Sequence, residues 1–447
     1  MTKQMSAREV ALTALDRVRK NGAYSNLQLN QLLVKHKLDD NDRRLATRLV
    51  YGVLQRQLTL EYWLQPFVKG KKLDSWVETL LLMSIYQYHY LERVPDWAVT
   101  DEAIEIAKHW GNPGIRKFVT GVLHAILRKG LSDLTQIPDV TTRLSIQNSV
   151  PEWIVTELID QYGEQQAEKD LLAINDPAHL IIRANTALTT LDKIKEELTA
   201  MGIEFVDSQV VPNTLRITKG SIIGSRLFEE GLITVQDESA MLAVDSMDIQ
   251  KGDRVLDACA APGGKTIQIA EQLDPAAGGE VHALDIHEHK TKLIRKNAKR
   301  MKVDDRVITH TLDARKVDEE FADESFDKIL VDAPCSGMGL LRRKPEIRYT
   351  KQLSDSTNLQ HIQQSILNAV ATKVKKGGII TYSTCTILKQ ENDQTVQAFL
   401  ADHPDFTLLK TETSRKLKDD RNSATLTILP SDYGSDGFFI SSLQRNL

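Results

Sequence analysis

The sequence predicts three successive parts: an all-helical region, a small α+β module, and an α/β region with a mostly parallel, doubly wound sheet. In residues 1–140, apolar residues recur at the spacing of one helical face. Residues 141–235 mix helical stretches with short β-like runs. In residues 236–447, strand-like runs alternate with helical stretches, which is typical of βαβ units in a parallel sheet. We therefore predict three domains with these bounds.

The helical region is predicted from two clear amphipathic stretches. Residues 77–88 place apolar side chains on one helical face, and Pro95 lies beyond the end of that stretch. Residues 115–126 repeat the spacing. The region holds 20 basic and 15 acidic residues by count of the sequence. This surplus is compatible with a solvated basic face and with nucleic-acid contact, and the sequence leaves both open.

The elements of the other two parts follow from runs of β-branched and aromatic residues between helical stretches. The α+β module is predicted to contain a helix from Pro151, a helix over 191–202, and strands at 180–185 and 214–218. The parallel sheet is predicted to use strands at 253–258, 280–285, 306–311, 326–333 and 377–383, with helices at 286–302 and 354–374. The tail is predicted to add antiparallel strands along one edge, at 406–410, 425–430 and 436–443.

Composition and charge exclude several classes of protein. The 57 basic and 61 acidic residues give a net charge of −4, which excludes a chain that coats nucleic acid through bulk positive charge. The sequence has no apolar run of about 18 residues and no signal-peptide pattern, so we expect a cytoplasmic protein without a membrane segment. Its 3 cysteines form no CxxC pair, and we expect neither a disulfide framework nor a bound metal.

A glycine-rich loop follows the first strand of the parallel sheet and precedes a helix. It reads DACAAPGGKT over residues 257–266, and small residues there allow close approach of the backbone to a ligand. A P-loop would need glycine at position 259, which is Cys259, and no GxGxxG dinucleotide motif is present. The remaining interpretation is an S-adenosylmethionine loop. Its candidate cofactor-binding residues are Cys259, Ala260, Ala261, Pro262, Gly263, Gly264 and Lys265.

Acidic residues at strand ends favour the S-adenosylmethionine interpretation. Asp257, Asp285, Asp313 and Asp332 each stand at or directly after the carboxyl end of a predicted strand, where open α/β sheets bind ligands. Asp285 would accept hydrogen bonds from ribose hydroxyls, and Asp313 would accept one from the adenine amino group. Any one of them alone would be explained by helix capping or a turn, but four in register indicate a site.

Two cysteines follow neighbouring strands of the same predicted sheet. Cys335 lies in DAPCSG after the fourth strand, and Cys385 lies in YSTCT after the fifth. A free cysteine is ordinarily a small buried apolar residue. Because both stand at the ligand-binding edge beside hydroxyl residues, we expect them to act in catalysis.

The motifs DACAAPGGKT, DAPCSG and YSTCT resemble those of the RsmB/NOP family of RNA cytosine-5 methyltransferases, which carry two active-site cysteines. The helical amino-terminal region resembles a NusB-like RNA-binding domain, and together they resemble the family's bacterial 16S rRNA enzymes over essentially the whole chain. The resemblance implies a NusB-like domain, a small α+β module and a Rossmann-like methyltransferase domain. It also implies S-adenosyl-L-methionine as cofactor and C5 of cytosine 967 in 16S rRNA as the methylated atom.

The family pattern also implies roles for single residues. Cys385 would add to C6 of the cytosine, and Cys335 would assist proton removal and enzyme release. Asp332 would hold the N3 and amino edge of the base and border the cofactor, and Cys259 would pack without a chemical role. DNA cytosine-5 methyltransferases instead use the cysteine of the PC motif as nucleophile, so the presence of Cys385 favours the RNA class.

The resemblance leaves the substrate and its form open. The expected substrate is 16S rRNA, naked or in an early 30S precursor, and the protein is expected to act as a monomer. The alternatives are cytosine-5 methylation of tRNA or 23S rRNA, and a non-catalytic RNA-binding factor in ribosome assembly.

Two basic stretches are candidate RNA contacts. Residues 286–302 carry seven lysines and arginines, and a solvated helix face is the alternative. Residues 341–351 follow DAPCSGMG, so we expect them at the mouth of the site, with phosphate contacts and an aromatic ring for stacking. Their candidate residues are Arg342, Arg343, Lys344, Arg348, Tyr349 and Lys351. We interpret His287 and His289 as surface residues rather than metal ligands.

Overall fold

The structure, a computed structural model, describes residues 4–21 and 25–447. The chain forms two compact units. One comprises the described residues up to 175 together with 344–350, and the other comprises 176–343 and 351–447. A short segment of the carboxyl-terminal half of the sequence thus belongs to the amino-terminal unit.

The first unit is helical, as predicted. Its helices are α1 (Ala7–Asn21), α2 (Ser25–His36), α3 (Asp40–Gln55), α4 (Gln57–Val68), α5 (Ser75–Tyr90), α6 (Asp96–Trp110), α7 (Pro113–Lys129), α8 (Val140–Asn148), α9 (Glu152–Tyr162), α10 (Glu164–Ala173) and the short α16 (Ile347–Thr350). The sequence pattern predicted one apolar face for α5, but this helix is buried on nearly all sides between Val77 and Gln87. It forms the centre of the core, onto which α1, α3 and α7 pack.

Helices α8 to α10 belong to the same compact unit. The Thr59 hydroxyl of α4 donates to the carbonyl oxygen of Ile146 at 2.5 Å. The backbone N–H of Leu58 donates to the Ser149 hydroxyl at 2.8 Å. These bonds attach the end of α8 to the start of α4.

The second unit begins with the α+β module. It contains β1 (Leu180–Ala184), α11 (Leu191–Ala200), β2 (Glu204–Asp207), β3 (Thr214–Lys219), α12 (Arg226–Glu229) and β4 (Ile233–Val235). The strands form an antiparallel sheet in the order β2-β3-β1-β4. Leu198 and Ile194 of α11 are buried with strand residues such as Ile182 and Leu215, which gives the module its own small core.

The large sheet confirms the predicted α/β pattern. Its strands are β5 (Arg254–Asp257), β6 (Glu280–Asp285), β7 (Val307–Thr311), β8 (Phe326–Asp332), β9 (Val374–Thr384), β10 (Phe406–Leu409), β11 (Leu426–Ile428) and β12 (Phe438–Arg445). Their order is β10-β12-β9-β8-β5-β6-β7, and β11 also pairs with β12. Strands β5 to β9 pair in parallel, and the three tail strands pair antiparallel, as predicted.

Helices cover both faces of this sheet. They are α13 (Glu238–Asp245), α14 (Gly264–Ala270), α15 (Glu288–Arg300), α17 (Leu353–Ala371), α18 (Asp393–Asp402) and the short α19 (Pro430–Tyr433). Leu330 faces a core shared with α13 and α14, whereas its neighbours Ile329 and Val331 face a core shared with α17 and α18. Successive side chains of a strand point to opposite faces, so each strand contributes to two cores.

The basic stretch 341–351 is not the RNA-contacting surface that the sequence predicted. The buried Arg342 donates to the carbonyl oxygens of Pro430 and Ser435, both at 3.0 Å. Arg343 forms ion pairs with Asp237 at 2.6 Å and Asp436 at 2.7 Å.

Two further residues of this stretch are enclosed within the helical unit. Arg348 is fully buried there, and the Tyr349 hydroxyl donates to the carbonyl oxygen of Leu54 at 2.9 Å. Of the six candidate residues, Lys344 is exposed, and Arg343, Tyr349 and Lys351 are half-buried. The charged or polar groups of Arg342, Arg343, Arg348 and Tyr349 are engaged in internal contacts, which leaves Lys344 and Lys351 as candidates for RNA contact.

Candidate active site

The register of two parallel strands brings the predicted catalytic residues together. Asp332 at the end of β8 pairs with Ser383 near the end of β9. The chain then leaves both strands at the same edge of the sheet, so the loops that carry Cys335 and Cys385 meet there. The Cys335 and Cys385 sulfurs lie 3.1 Å apart, and both cysteines are free thiols.

The surroundings of Cys335 keep its thiol protonated. Its pKa is raised well above the usual value, first by the hydrogen bond to Cys385 and then by burial. The negative charges of Glu391 and Asp332 raise it further. Cys335 is therefore a thiol at neutral pH, able to donate its proton towards the Cys385 sulfur.

Asp332 is anchored by two donors. The Lys265 ammonium lies 2.8 Å from Oδ2, and the Ser383 hydroxyl donates to Oδ1 at 3.0 Å. Lys265 also lies over the Phe438 ring, with its Nζ 4.9 Å from the ring centroid. The sequence assigned Lys265 to the cofactor loop, but its side chain is directed to the carboxylate beside the cysteines. Nothing in the spacing of the motif indicates this contact.

The glycine-rich loop is tied to the core by its first residue. Asp257 is fully buried, and its Oδ2 accepts a hydrogen bond from the Thr266 hydroxyl at 2.7 Å. Burial raises the pKa of Asp257 to about 7. Gly263 adopts a φ of 104°, and a β-carbon there would lie 3.3 Å from the Ile294 Cα of α15. Glycine is therefore required at this position for both conformation and packing.

Two further carboxylates close the same edge. Asp285 ends β6 and is largely buried, and its Oδ1 accepts from the backbone N–H of His287 at 2.9 Å. Asp313 caps the turn after β7, and its carboxylate is held by Arg315 with a shortest distance of 2.6 Å, which lowers its pKa. Asp285 and Asp313 therefore also cap the backbone that follows them, which was the alternative interpretation of each aspartate in the sequence.

The combined charge of this edge suits a cationic cofactor. Burial raises the pKa of the Cys259 thiol well above its usual value. Four carboxylates raise it further, those of Asp257, Asp332, Asp285 and Asp313. S-adenosylmethionine carries a sulfonium and an ammonium group, and Asp257 Oδ1 is a buried oxygen without a hydrogen-bond partner. These residues fit the cofactor, and Cys259 packs against the core that includes Leu256 and Val331.

A buried carboxylate that sequence reasoning missed connects the two cysteine loops. Glu391 is fully buried and accepts hydrogen bonds from the backbone N–H of Ser336 at 2.8 Å and from the Ser356 hydroxyl at 2.9 Å. Gln363 donates both to Glu391 at 3.1 Å and to the carbonyl oxygen of Pro334 at 3.0 Å. The Ser336 hydroxyl lies 2.9 Å from that of Thr386. Residues adjacent to both cysteines are thus fixed by one network.

Glycine allows the cysteine loops to approach the tail of the chain. The backbone N–H of Gly339 donates to the Cys385 carbonyl oxygen at 2.9 Å, and its own carbonyl accepts from Gly437 at 2.9 Å. A β-carbon on Gly339 would overlap the carbonyl oxygen of Gly437. The chain around Gly339 and the chain around Gly437 therefore pack against each other beside Cys385.

The basic helix α15 is divided between structural and exposed residues. Arg300 donates to the carbonyl oxygens of Phe228 and Ile233 in the α+β module, at 2.8 and 3.2 Å. Lys296, Lys299 and Lys302 are exposed, and their contact with RNA stays a prediction. In the described part of the chain, no group of three or more His, Cys, Asp or Glu side chains is placed to hold a metal ion.

Comparison with known proteins identifies the family. A model described as 16S rRNA methyltransferase RsmB/F matches residues 244–444, and a NusB family model matches residues 5–129. A model of the ferredoxin-like domain of RsmF/B-like methyltransferases matches residues 150–223. The probable ribosomal RNA small subunit methyltransferase B of Bacillus subtilis (strain 168) is 43% identical over 449 residues, with 99% of both chains covered. This chain belongs to the RsmB/F family of 16S rRNA methyltransferases.

Further relatives agree with this membership. Ribosomal RNA small subunit methyltransferase B of Yersinia enterocolitica is 31% identical over 450 residues, again with 99% of both chains covered. The crystal structure of PH0851 has a TM-score of 0.80 and 25% identity, and the match covers 99% of this chain and 100% of that one. A methyltransferase homolog from Pyrococcus horikoshii has a TM-score of 0.58 and 26% identity, with 70% and 100% covered.

These findings confirm the predicted family and the three-part fold of NusB-like, ferredoxin-like and Rossmann-like regions. S-adenosylmethionine is the usual methyl donor in this family of RNA methyltransferases. In the residues that the structure describes, no helix combines the length and the apolar character of a membrane span.

Proposed function

We propose that this RsmB/F-family methyltransferase transfers a methyl group from S-adenosyl-L-methionine to C5 of a cytosine in 16S rRNA, and that the nucleotide is cytosine 967. The observation that carries the proposal is the contact of two free sulfurs, 3.1 Å apart, beside the Asp332 carboxylate. A cytosine-5 methyltransferase needs a nucleophile, a proton acceptor and a group that holds the base. The residues at these strand ends supply all three.

Cys385 acts as the nucleophile. C5 of cytosine attacks an electrophile poorly, and addition of a thiolate to C6 raises the electron density at C5. A covalent bond forms between the Cys385 sulfur and C6, and C5 then takes the methyl group that S-adenosylmethionine supplies. The Cys335 thiol, 3.1 Å away, can donate a hydrogen bond to the Cys385 sulfur.

Cys335 acts on the proton at C5. After methyl transfer C5 carries both a proton and a methyl group, and the proton must leave before the C6–sulfur bond can break. Cys335 releases its proton to solvent when the adduct forms, so that the resulting thiolate can accept the C5 proton. Loss of that proton restores the double bond of the ring and expels Cys385 as a thiolate.

Asp332 and Lys265 hold the target cytosine and stabilise the negative charge that builds up on its ring. Asp332 accepts a hydrogen bond from the amino group of cytosine, and Lys265 offers a donor to the ring atoms that become electron-rich on addition. Asp285 would accept hydrogen bonds from the ribose hydroxyls of the cofactor, and Asp313 would accept one from its adenine amino group. Residues 259–265 would form the loop that holds the cofactor.

Bisulfite sequencing of 16S rRNA from a deletion strain tests the proposal. Cytosine 967 is expected to become convertible in the deletion strain and to be protected again by the wild-type gene. A gene carrying Cys385→Ala is expected to leave it convertible. An unchanged cytosine 967 in the deletion strain would overturn the choice of nucleotide. Loss of 5-methylcytosine from tRNA or 23S rRNA alone would identify another substrate, and no loss in any RNA would leave a non-catalytic assembly factor.

The form of the substrate is part of the proposal. We place the reaction in the cytoplasm, with a monomeric enzyme that acts on naked 16S rRNA or on an early 30S precursor. The basic surplus of the helical region favours RNA contact outside the catalytic centre.

A further inference from the structure

A cleft in the helical unit lies between α3 and the connection from α5 to α6. Its volume is about 990 Å³. The lining residues are Asn41, Arg44, Leu45, Arg48, Tyr90, Leu91, Glu92, Arg93 and Val94. We call it the arginine cleft. It lies within one compact unit and has no residue in common with the candidate active site.

Three arginines form the rim of the arginine cleft. Arg44, Arg48 and Arg93 are all exposed, and none forms an ion pair with a carboxylate of the described residues. Arg48 also forms a hydrogen bond with the Tyr86 side chain. Glu92 is the acidic residue of the lining, so the rim carries a net positive charge. By contrast, Arg19 of the same unit is paired with Glu61 at 3.1 Å. No carboxylate of the described residues therefore neutralises the three guanidinium groups, and their charge can attract an anion from outside.

The floor of the arginine cleft is apolar and rigid. Leu91 is buried, and Leu45 and Val94 are half-buried beside it. The Tyr90 ring is stacked on the Tyr86 ring, with centroids 5.3 Å apart. The guanidinium of Arg56 lies 5.3 Å from the centroid of the Tyr90 ring. These contacts fix Tyr90 and add a fourth positive charge near the cleft.

We propose that the arginine cleft binds a single-stranded segment of the RNA substrate, and this rests on the proposed action on rRNA. Guanidinium groups pair with phosphate oxygens, and an apolar floor receives an unstacked base. The bases of a continuous duplex stay stacked and cannot reach such a floor. The cleft volume suits a nucleotide-sized ligand, since ligand sites usually measure about 300–1,000 Å³.

The test compares two triple variants that lose the same charge. The cleft variant carries Arg44→Gln, Arg48→Gln and Arg93→Gln. The control carries Arg43→Gln, Arg116→Gln and Lys117→Gln, which are exposed positions of the same unit outside the cleft. Binding of a fluorescent, unstructured oligoribonucleotide by the full chain is measured against salt concentration without methyl donor. Far-UV circular dichroism verifies that both variants fold.

The cleft variant is expected to bind the oligoribonucleotide at least about tenfold more weakly than the control. Its salt dependence should lose about 2 units of slope, since each phosphate contact to a single strand contributes about 0.7. The same oligonucleotide annealed to its complement should not distinguish the two variants.

Equal loss of affinity in both variants would mean that bulk charge decides, and would overturn the proposal. Unchanged RNA affinity together with weaker binding to 30S precursor particles would identify a protein partner instead. Because the binding experiment involves no methyl transfer, failure of the proposed reaction would leave its outcome unaffected.

Discussion

Cys335 and Cys385 differ in their neighbours, although they lie side by side. The hydrogen bond to Cys385 and burial raise the pKa of Cys335, and the charges of Glu391 and Asp332 raise it further. Both thiols are partly accessible rather than enclosed in the core. A protonated thiol next to a potential thiolate is the arrangement that proton shuttling during covalent catalysis requires.

The raised pKa of Asp257 predicts a pH-dependent stability. Its carboxyl ionises near 3.8 in the unfolded chain and at about 7 when folded. Between these values the unfolded state binds fewer protons, so the free energy of unfolding should fall as pH rises, by at most about 1.4 kcal/mol per pH unit. Asp257→Asn should flatten this slope between pH 4 and pH 7. Urea unfolding of both proteins at several pH values measures it, and parallel slopes would contradict the assignment.

At the scale of elements, the cysteine loops depend on a residue from a third segment. Glu391 follows the Cys385 loop and accepts hydrogen bonds from the Cys335 loop and from α17. A carboxylate with several donors fixes backbone more firmly than a neutral side chain can. The helix and the two loops therefore act as one support for the sulfurs.

Glu391→Gln keeps the size of this side chain but presents an amide N–H₂ to groups that are themselves donors. Methylation should fall at least about tenfold, because the two loops are no longer held in register. Since Glu391 raises the pKa of Cys335, the pH profile of the remaining activity should also shift to lower pH. Glu412→Gln, at an exposed site, serves as control. A lower unfolding temperature with an unshifted pH profile would indicate a purely structural role.

The positions of the strands could be predicted from the sequence because strand-like runs alternate with helical stretches along it. The common edge of the strand ends could be predicted because parallel strands run in the same direction. The meeting of Asp332, Cys335 and Cys385 followed from that rule. The burial of Arg342 and Arg348 could not be predicted from the sequence. A basic residue looks the same in a sequence whether its partners are phosphates or buried carbonyl groups. The contact of Lys265 with Asp332 and the role of Glu391 depend on tertiary neighbours in the same way.

At the scale of the whole molecule, the chain leaves the α/β unit after residue 343 and contributes residues 344–350 to the helical unit. Arg348 is a fully buried residue of this segment. It donates to the carbonyl oxygens of Gln55, Asn148 and Ile174 at 3.1–3.2 Å. Burial lowers its pKa to about 10, so it still carries its charge at neutral pH.

Arg348→Met should destabilise the protein by about 3 kcal/mol, since several buried carbonyl groups lose their donor together. The exposed Lys344→Met in the same segment is the control and should change stability by less than about 0.5 kcal/mol. Guanidinium-induced unfolding of both variants measures the difference. Equal stabilities would mean that the segment does not support the helical unit.

The net charge of −4 conceals the distribution of charge along the molecule. The helical region has a basic surplus, and carboxylates accumulate at the strand ends that suit a cationic cofactor. The three domain bounds drawn from composition stay predictions, whereas the order of the three folds is confirmed by the family models.

The most direct test of the account uses RNA that contains 5-fluorocytosine. Its fluorine cannot leave C5 as a proton does, so the covalent adduct is trapped and runs as a shifted band on a denaturing gel. Wild-type protein should form the adduct in the presence of S-adenosylmethionine, and Cys385→Ala should form none. Cys335→Ala should accumulate an adduct even with ordinary cytosine RNA. An adduct that survives Cys385→Ala and disappears in Cys335→Ala would contradict the account.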